Sequence, residues 1–242
     1  MHEVIETVIE TADGSMELFV ASPTGQAERA RGAIVVVQEA FGVTAHIESV
    51  CEWLADEGWL APAPAFFHRQ EPQRFAYDDL AGAVPVMMTL TKEGIDADLD
   101  AVVGYLTTAG FTPDRIGIVG FCMGGSVTLY AAATRSLGAA ITFYGGGLAT
   151  GRFGFPPGVE LAGALQTPWL GLYGDLDQGI PVDDVERVRE NAAATSVDSE
   201  VVRYANAQHG FNCNDRPAVF DPEASADARG RLLAWLDRHM TR

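Results

Sequence analysis

The spacing of hydrophobic positions changes along the chain, and each spacing selects a different element. Residues 4–10 and 16–21 alternate and read as an N-terminal antiparallel hairpin closed by the turn signal Ala12-Asp13-Gly14-Ser15. The alternation then gives way to the solid run Ala33-Ile34-Val35-Val36-Val37, which has no polar position to turn towards water. Such a run predicts a parallel strand buried on both faces. From there, helical and strand periods alternate. Residues 47–57 read as helix and 59–62 as strand, and Ile95, Leu99, Val102, Val103 and Leu106 form one helical face. Residues 115–119 read as strand, 126–134 as helix, 139–144 and 168–173 as strands, 182–194 as helix, 200–204 as strand and 224–239 as a closing helix. This βαβ order predicts an α/β fold with a mostly parallel central sheet flanked by helices.

Composition narrows the picture. With 242 residues, 48% of them hydrophobic, the chain is expected to form one domain over residues 1–242. Its formal charge of −17 repels nucleic acid and anionic lipid headgroups, and no apolar run approaches the roughly 20 residues of a membrane span. Neither partner is expected. Three cysteines are too few and odd in number for a disulfide framework, and the first residues lack the basic and apolar regions of a signal peptide. A reducing cytoplasm is therefore the expected location, with the protein a monomer or homodimer.

The chemistry concentrates after the strands, where open α/β sheets bind their ligands. Gly120-Phe121-Cys122-Met123-Gly124-Gly125 lies between a strand and a helix. This is the context of a G-x-S-x-G nucleophile elbow with cysteine in place of serine. The glycines suit a turn with no room for Cβ atoms, and the helix N-terminus favours a thiolate. Asp177 follows the strand at 168–173, in Gly174-Asp175-Leu176-Asp177, and His209 follows the strand at 200–204. Nucleophile, acid, histidine is the chain order of an α/β-hydrolase triad. Imidazole would take the thiol proton and later protonate the leaving group, and the carboxylate would fix its tautomer.

Competing readings attach to several of these residues. Asp175 competes with Asp177, although Asp177 stands closer to the turn into Ile180-Pro181. Among the other histidines, His2 and His239 lie near the termini, His46 starts a helix, and His68 reads as a satisfied rim residue. Cys51 reads as core and Cys213 as an idle loop thiol. Ser126 lies inside the helix and not at the turn, which argues against a serine nucleophile. A redox-responsive or ligand-binding protein with a reactive thiol and no ester turnover is the alternative reading.

The chain resembles the dienelactone hydrolase (carboxymethylenebutenolidase) family of the α/β-hydrolase superfamily. The resemblance is carried by Gln38-Glu39-Ala40-Phe41-Gly42, the Cys122 elbow, Tyr144-Gly145, Gly174-x-x-Asp177-x-x-Ile180-Pro181 and His209-Gly210-Phe211. It implies the α/β-hydrolase fold and hydrolysis of a small ester or enol-lactone by Cys122, Asp177 and His209 through a thioester, without metal or organic cofactor. It further implies that Glu39 takes part in thiolate formation, a carboxylate beside sulfur favouring the neutral thiol until substrate displaces it. The oxyanion hole would use the N–H groups of Met123 and Ala40, and Phe41, Tyr144 and Phe211 would meet the substrate. One departure stands out. The arginines that bind the family's substrate carboxylate have no clear match: Arg216 lies late after His209, and Arg69, Arg74 and Arg152 are the other candidates, so an anionic substrate is not expected.

Overall fold

The structure, a computed structural model, describes residues 1–25 and 30–240. Strands β1 (His2–Thr11) and β2 (Gly14–Pro23) form the hairpin. They are followed by β3 (Ala33–Val37), α1 (Ala45–Asp56), β4 (Ala61–Pro64), α2 (Leu80–Met87) and α3 (Lys92–Thr108). The second half runs β5 (Ile116–Phe121), α4 (Met123–Thr134), β6 (Ala139–Phe143), α5 (Gly158–Ala162), β7 (Trp169–Gly174), α6 (Val182–Ala193), β8 (Ser199–Tyr204) and α7 (Pro222–His239).

The antiparallel strands order as β1-β2-β4 and the parallel strands as β3-β5-β6-β7-β8. Leu60 joins the two sets. It makes a parallel bridge to Ala33, accepts the Ile34 N–H at 2.7 Å and donates to the Gly32 carbonyl at 3.0 Å. The result is one continuous order, β1-β2-β4-β3-β5-β6-β7-β8, with β5 near its centre. All six residues of β5 and all five of β3 are buried, as strands covered by helices on both faces must be. Helix α4 is buried on every face from Met123 to Ala133, and its small residues let it press directly onto the sheet.

The hairpin is longer than its alternation suggested and continues into a third strand, because β2 pairs with β4 on its other side. Its tip is pinned to α3. Asp98, fully buried, accepts from His68 Nε2 at 3.0 Å and from both terminal nitrogens of Arg69 at 2.8 Å. Arg69 also pairs with Asp13 in the hairpin turn. The helical face of α3 therefore carries a buried carboxylate among its apolar residues.

Two helices escaped the hydrophobic pattern. Helix α2 contains Pro85 but is started by Asp79, whose side chain accepts the Gly82 N–H at 2.9 Å. Helix α5 lies in the glycine-rich segment from Gly145 to Gly163. Phe153 and Phe155 within it are buried, and the Phe155 ring stacks on Tyr130 at 3.9 Å between centroids.

Candidate active site

Cys122 occupies the single residue between β5 and α4, with φ 55° and ψ −114°. A side chain rarely adopts this backbone, and the neighbouring glycines are what permit it. A Cβ on Gly120 would stand 2.0 Å from the Gly124 carbonyl oxygen, and one on Gly124 only 2.4 Å from that of Val37. The helix consequently starts at Met123, three residues earlier than the sequence pattern suggests. Its first N–H, that of Met123, and the N–H of Ala40 have no hydrogen-bond partner among the described residues. Both are available to a developing oxyanion.

His209 and Asp177 come from the loops after β8 and β7. His209 Nδ1 lies 2.6 Å from Asp177 Oδ2, and Asp177 Oδ1 accepts the Gly179 N–H at 2.8 Å. Asp175 faces elsewhere, in a two-pronged ion pair with Arg203 at 2.7 and 2.8 Å. That geometry separates the two aspartates the sequence left in competition.

The thiol and the imidazole shape each other's titration. Burial opposes ionisation of Cys122, but the charge of His209 and its hydrogen bond outweigh burial and Glu39, bringing the thiol below its ordinary value. Burial likewise opposes charge on His209, yet the sulfur and Asp177 raise it to about 10. The imidazole thus works against the neutral thiol that Glu39 alone would favour. Cys51 and Cys213 are buried, and burial first of all raises both, Cys213 to about 12. Cys213 lies buried in the loop after β8, where that rise keeps the thiol protonated.

Glu39 is fully buried. Its Oε2 accepts from the Tyr77 hydroxyl at 3.2 Å and its Oε1 from that of Tyr144 at 3.4 Å. No hydrogen bond links it to Cys122 among the described residues. Tyr144, Phe211 and Phe41 are buried, with Tyr144 and Phe211 rings 5.2 Å apart and Tyr144 5.1 Å from the His209 ring, so these aromatics form the floor of the site. Ser126 is buried and donates to the Gly146 carbonyl at 2.9 Å. His46 is also buried, with Nδ1 3.2 Å from Asn214 Oδ1, and burial lowers its basicity.

The four candidate arginines divide in two. Arg69 and Arg74 are engaged by Asp98 and Asp13, and by Glu48. Arg216 instead lies over the rings of Phe41 and Tyr77, 5.8 Å from each, and lines a cleft of about 350 Å³ with His209, Gln208 and Leu176. Arg152 lies over Phe153, with its guanidinium 3.9 Å from the Met87 sulfur, and its charge favours the Cys122 thiolate. Neither has a carboxylate partner among the described residues. Tyr77 is the residue sequence reasoning missed, because residues 65–79 carry no periodicity to mark it. A second cavity, of about 230 Å³, lies away from Cys122 under the hairpin, between Phe19, Ala63 and Gln73.

The profile of the dienelactone hydrolase family matches residues 16–240. A provisionally named carboxymethylenebutenolidase of Salmonella typhimurium is 35% identical, over 96% of this chain and 92% of that protein. A crystal structure of a provisionally named dienelactone hydrolase from Klebsiella pneumoniae superposes with a TM-score of 0.87 at 34% identity, covering 98% and 99% of the two chains. The dienelactone hydrolase-like promiscuous phosphotriesterase P91, from metagenomic libraries, shares the fold with a TM-score of 0.82 at 22% identity, over 98% of each chain. No helix among the described residues is long and apolar enough to cross a membrane.

Proposed function

The chain belongs to the dienelactone hydrolase family, a family of hydrolases, and from that premise we propose that it cleaves small esters or enol-lactones with Cys122 as nucleophile. The observation that carries this reading is the 2.6 Å bond between His209 and Asp177 beside a cysteine on a left-handed elbow. His209 serves as base and acid, and Asp177 holds its tautomer.

In the first half-reaction the Cys122 thiolate attacks the carbonyl carbon, and the C=O electron pair moves onto oxygen. The N–H groups of Met123 and Ala40 stabilise that oxyanion. Collapse breaks the C–O bond of the ester, His209 gives its proton to the leaving oxygen, and a thioester remains. For an enol-lactone, the leaving group is an enolate still tethered to the acyl part. In the second half-reaction water attacks the thioester and His209 takes its proton. Expulsion of the thiolate releases the acid and restores the ion pair. Phe41, Tyr144 and Phe211 shape the floor beneath the acyl group. Arg152 and Arg216, without carboxylate partners, extend the substrate range to esters that carry an anionic group, against the net charge of the chain.

Single-turnover mass spectrometry tests this reading, with a small activated ester and separately a dienelactone mixed with the protein and with Cys122→Ala. A transient acyl adduct on Cys122, absent from the variant, is the expected result. Hydrolysis by folded Cys122→Ala at the unmodified rate would sink the mechanism. A reactive thiol with neither adduct nor hydrolysis would instead favour a redox or binding role.

A further inference from the structure

Helix α1 is too short for the hairpin it covers. Its 12 residues make it about 18 Å long, whereas the 10-residue strand β1 runs about 33 Å. The helix is moored at one end, where His2 Nδ1 lies 3.1 Å from Asp56 Oδ1. Alternate residues of a strand share a face, and the face of His2 carries Val4, Glu6 and Val8, which stand opposite Ala21, Phe19 and Glu17 of β2. Beyond Phe19 on the same face lies Ala63 of β4. By its length, α1 stops short of the Glu17 end. There the cavity of about 230 Å³ opens, floored by Phe19 and Ala63 and walled by Val43 and Arg74 on one side and Glu6 and Glu17 on the other. The methyl group of Ala63 leaves the floor low, and Val8 on the rim is 56% exposed, a large apolar side chain with nothing over it.

The charges around this groove are not balanced. Arg74 is spent on Glu48 of α1 at 2.6 Å, whereas the side chains of Glu6 and Glu17 have no hydrogen-bond or ion-pair partner among the described residues. Because Glu6 faces Phe19 and Glu17 faces Val8, the two carboxylates are diagonal neighbours, about 7–8 Å apart at Cα, each beside an apolar residue. Two like charges so placed repel, and a cation between them would remove the repulsion. We infer that this groove is a binding site for a small apolar amine in its protonated form, with the ammonium between Glu6 and Glu17 and the hydrocarbon body on Phe19, Val8 and Val43. The volume lies below the roughly 300–1,000 Å³ of drug-sized pockets, so the ligand is limited to one ring or a short chain. A net charge of −17 gathers cations at the surface and works against an anion of the same shape. None of the residues assigned to ester cleavage lines the groove.

Isothermal titration calorimetry of the folded chain with phenethylammonium chloride, at low and high salt, tests the site. A dissociation constant of about 1 mM is expected, and added salt weakens it. Glu6→Gln and Glu17→Gln should each weaken binding about threefold and the pair about tenfold. Ala63→Leu, which raises the floor, should abolish it, with ester turnover unchanged in all of these variants. Hydrocinnamate, which carries a carboxylate on a similar body, and phenethyl alcohol, which carries no charge, should each bind about tenfold more weakly than the ammonium. No saturable heat from the ammonium, or hydrocinnamate binding as tightly, would overturn the inference. So would a dissociation constant that both glutamine variants leave unchanged, since the amine would then sit elsewhere on the molecule. If Ala63→Leu does not fold by circular dichroism, the two exposed glutamates, whose replacement leaves the core intact, decide the matter.

Discussion

His209 Nδ1 stands 2.6 Å from Asp177 Oδ2, and the opposite carboxylate oxygen is held by the Gly179 N–H, so the acid cannot rotate away from the ring. Asp177→Asn keeps the volume and inverts the hydrogen-bond logic, presenting an N–H or a neutral oxygen to the imidazole. Ester turnover is expected to fall about 10²- to 10³-fold, less than in a serine hydrolase because a thiol needs the base less. Steady-state kinetics on the folded variant check it. A loss below threefold would remove Asp177 from the mechanism.

Selective labelling follows from the same pair. Cys122 is lowered in pKa by His209 while Cys51 and Cys213 are raised by burial, Cys213 to about 12. In folded protein at pH 7, iodoacetamide should modify Cys122 alone. Denaturation should expose all three.

The ion pair also gives stability a pH window. His209, raised to about 10 from an ordinary 6.5, contributes fully below that ordinary value and loses its contribution as pH rises through about 10. Cys122, lowered from 9.0, contributes fully above that value and loses its contribution as pH falls through its folded pKa. Just below pH 9 the two dependences oppose each other, and above about 9 only that of His209 remains, so thermal midpoints should fall as pH rises from about 9 to about 10. Cys122→Ala should lose the alkaline fall that His209 causes near pH 10.

Gly124→Ala tests the elbow. Its Cβ would stand 2.4 Å from the Val37 carbonyl oxygen and 2.6 Å from that of Gln38, both backbone atoms that cannot step aside. A loss of at least about 3 kcal/mol in urea denaturation is expected, with activity lost in whatever fraction folds.

Arg152 and Arg216 offer a specificity test. Arg216→Gln should raise KM for an ester bearing a carboxylate about tenfold while leaving a neutral ester of the same size within twofold. Equal effects on both esters would assign the arginine to packing over Phe41 and Tyr77.

The parallel half of the fold was legible because β3 and β5 to β7 are short, mostly apolar runs, and the catalytic candidates were legible because each follows a strand of the parallel sheet. Tyr77 was not, since it sits in an irregular stretch held by the Phe75 to Phe41 contact and by its hydrogen bond to the buried Glu39 carboxylate. Helix α2 was hidden by Pro85, which reads as a breaker until Asp79 is seen to cap the first turn. The single-residue link between β5 and α4 was also out of reach: pattern places a helix by its hydrophobic face, whereas this one begins where the chain has no room for a longer turn. Asp98 shows the reverse limit, a charge at a helical core position that only the distant His68 and Arg69 make tolerable.

The strand order puts Cys122 and His209 at unequal depths in the sheet. Cys122 leaves β5, flanked on both sides, whereas His209 hangs from β8, which among the described residues has a neighbour only at β7. The outer strand is fastened by side chains: Arg203 on β8 reaches Asp175 and Glu186, and Arg189 on α6 donates to the Val201 carbonyl. On heating, fraying at this margin would carry off the base while the sulfur stays seated, so hydrolytic function would be extinguished before the molecule melts, with those two arginines setting the temperature at which it happens.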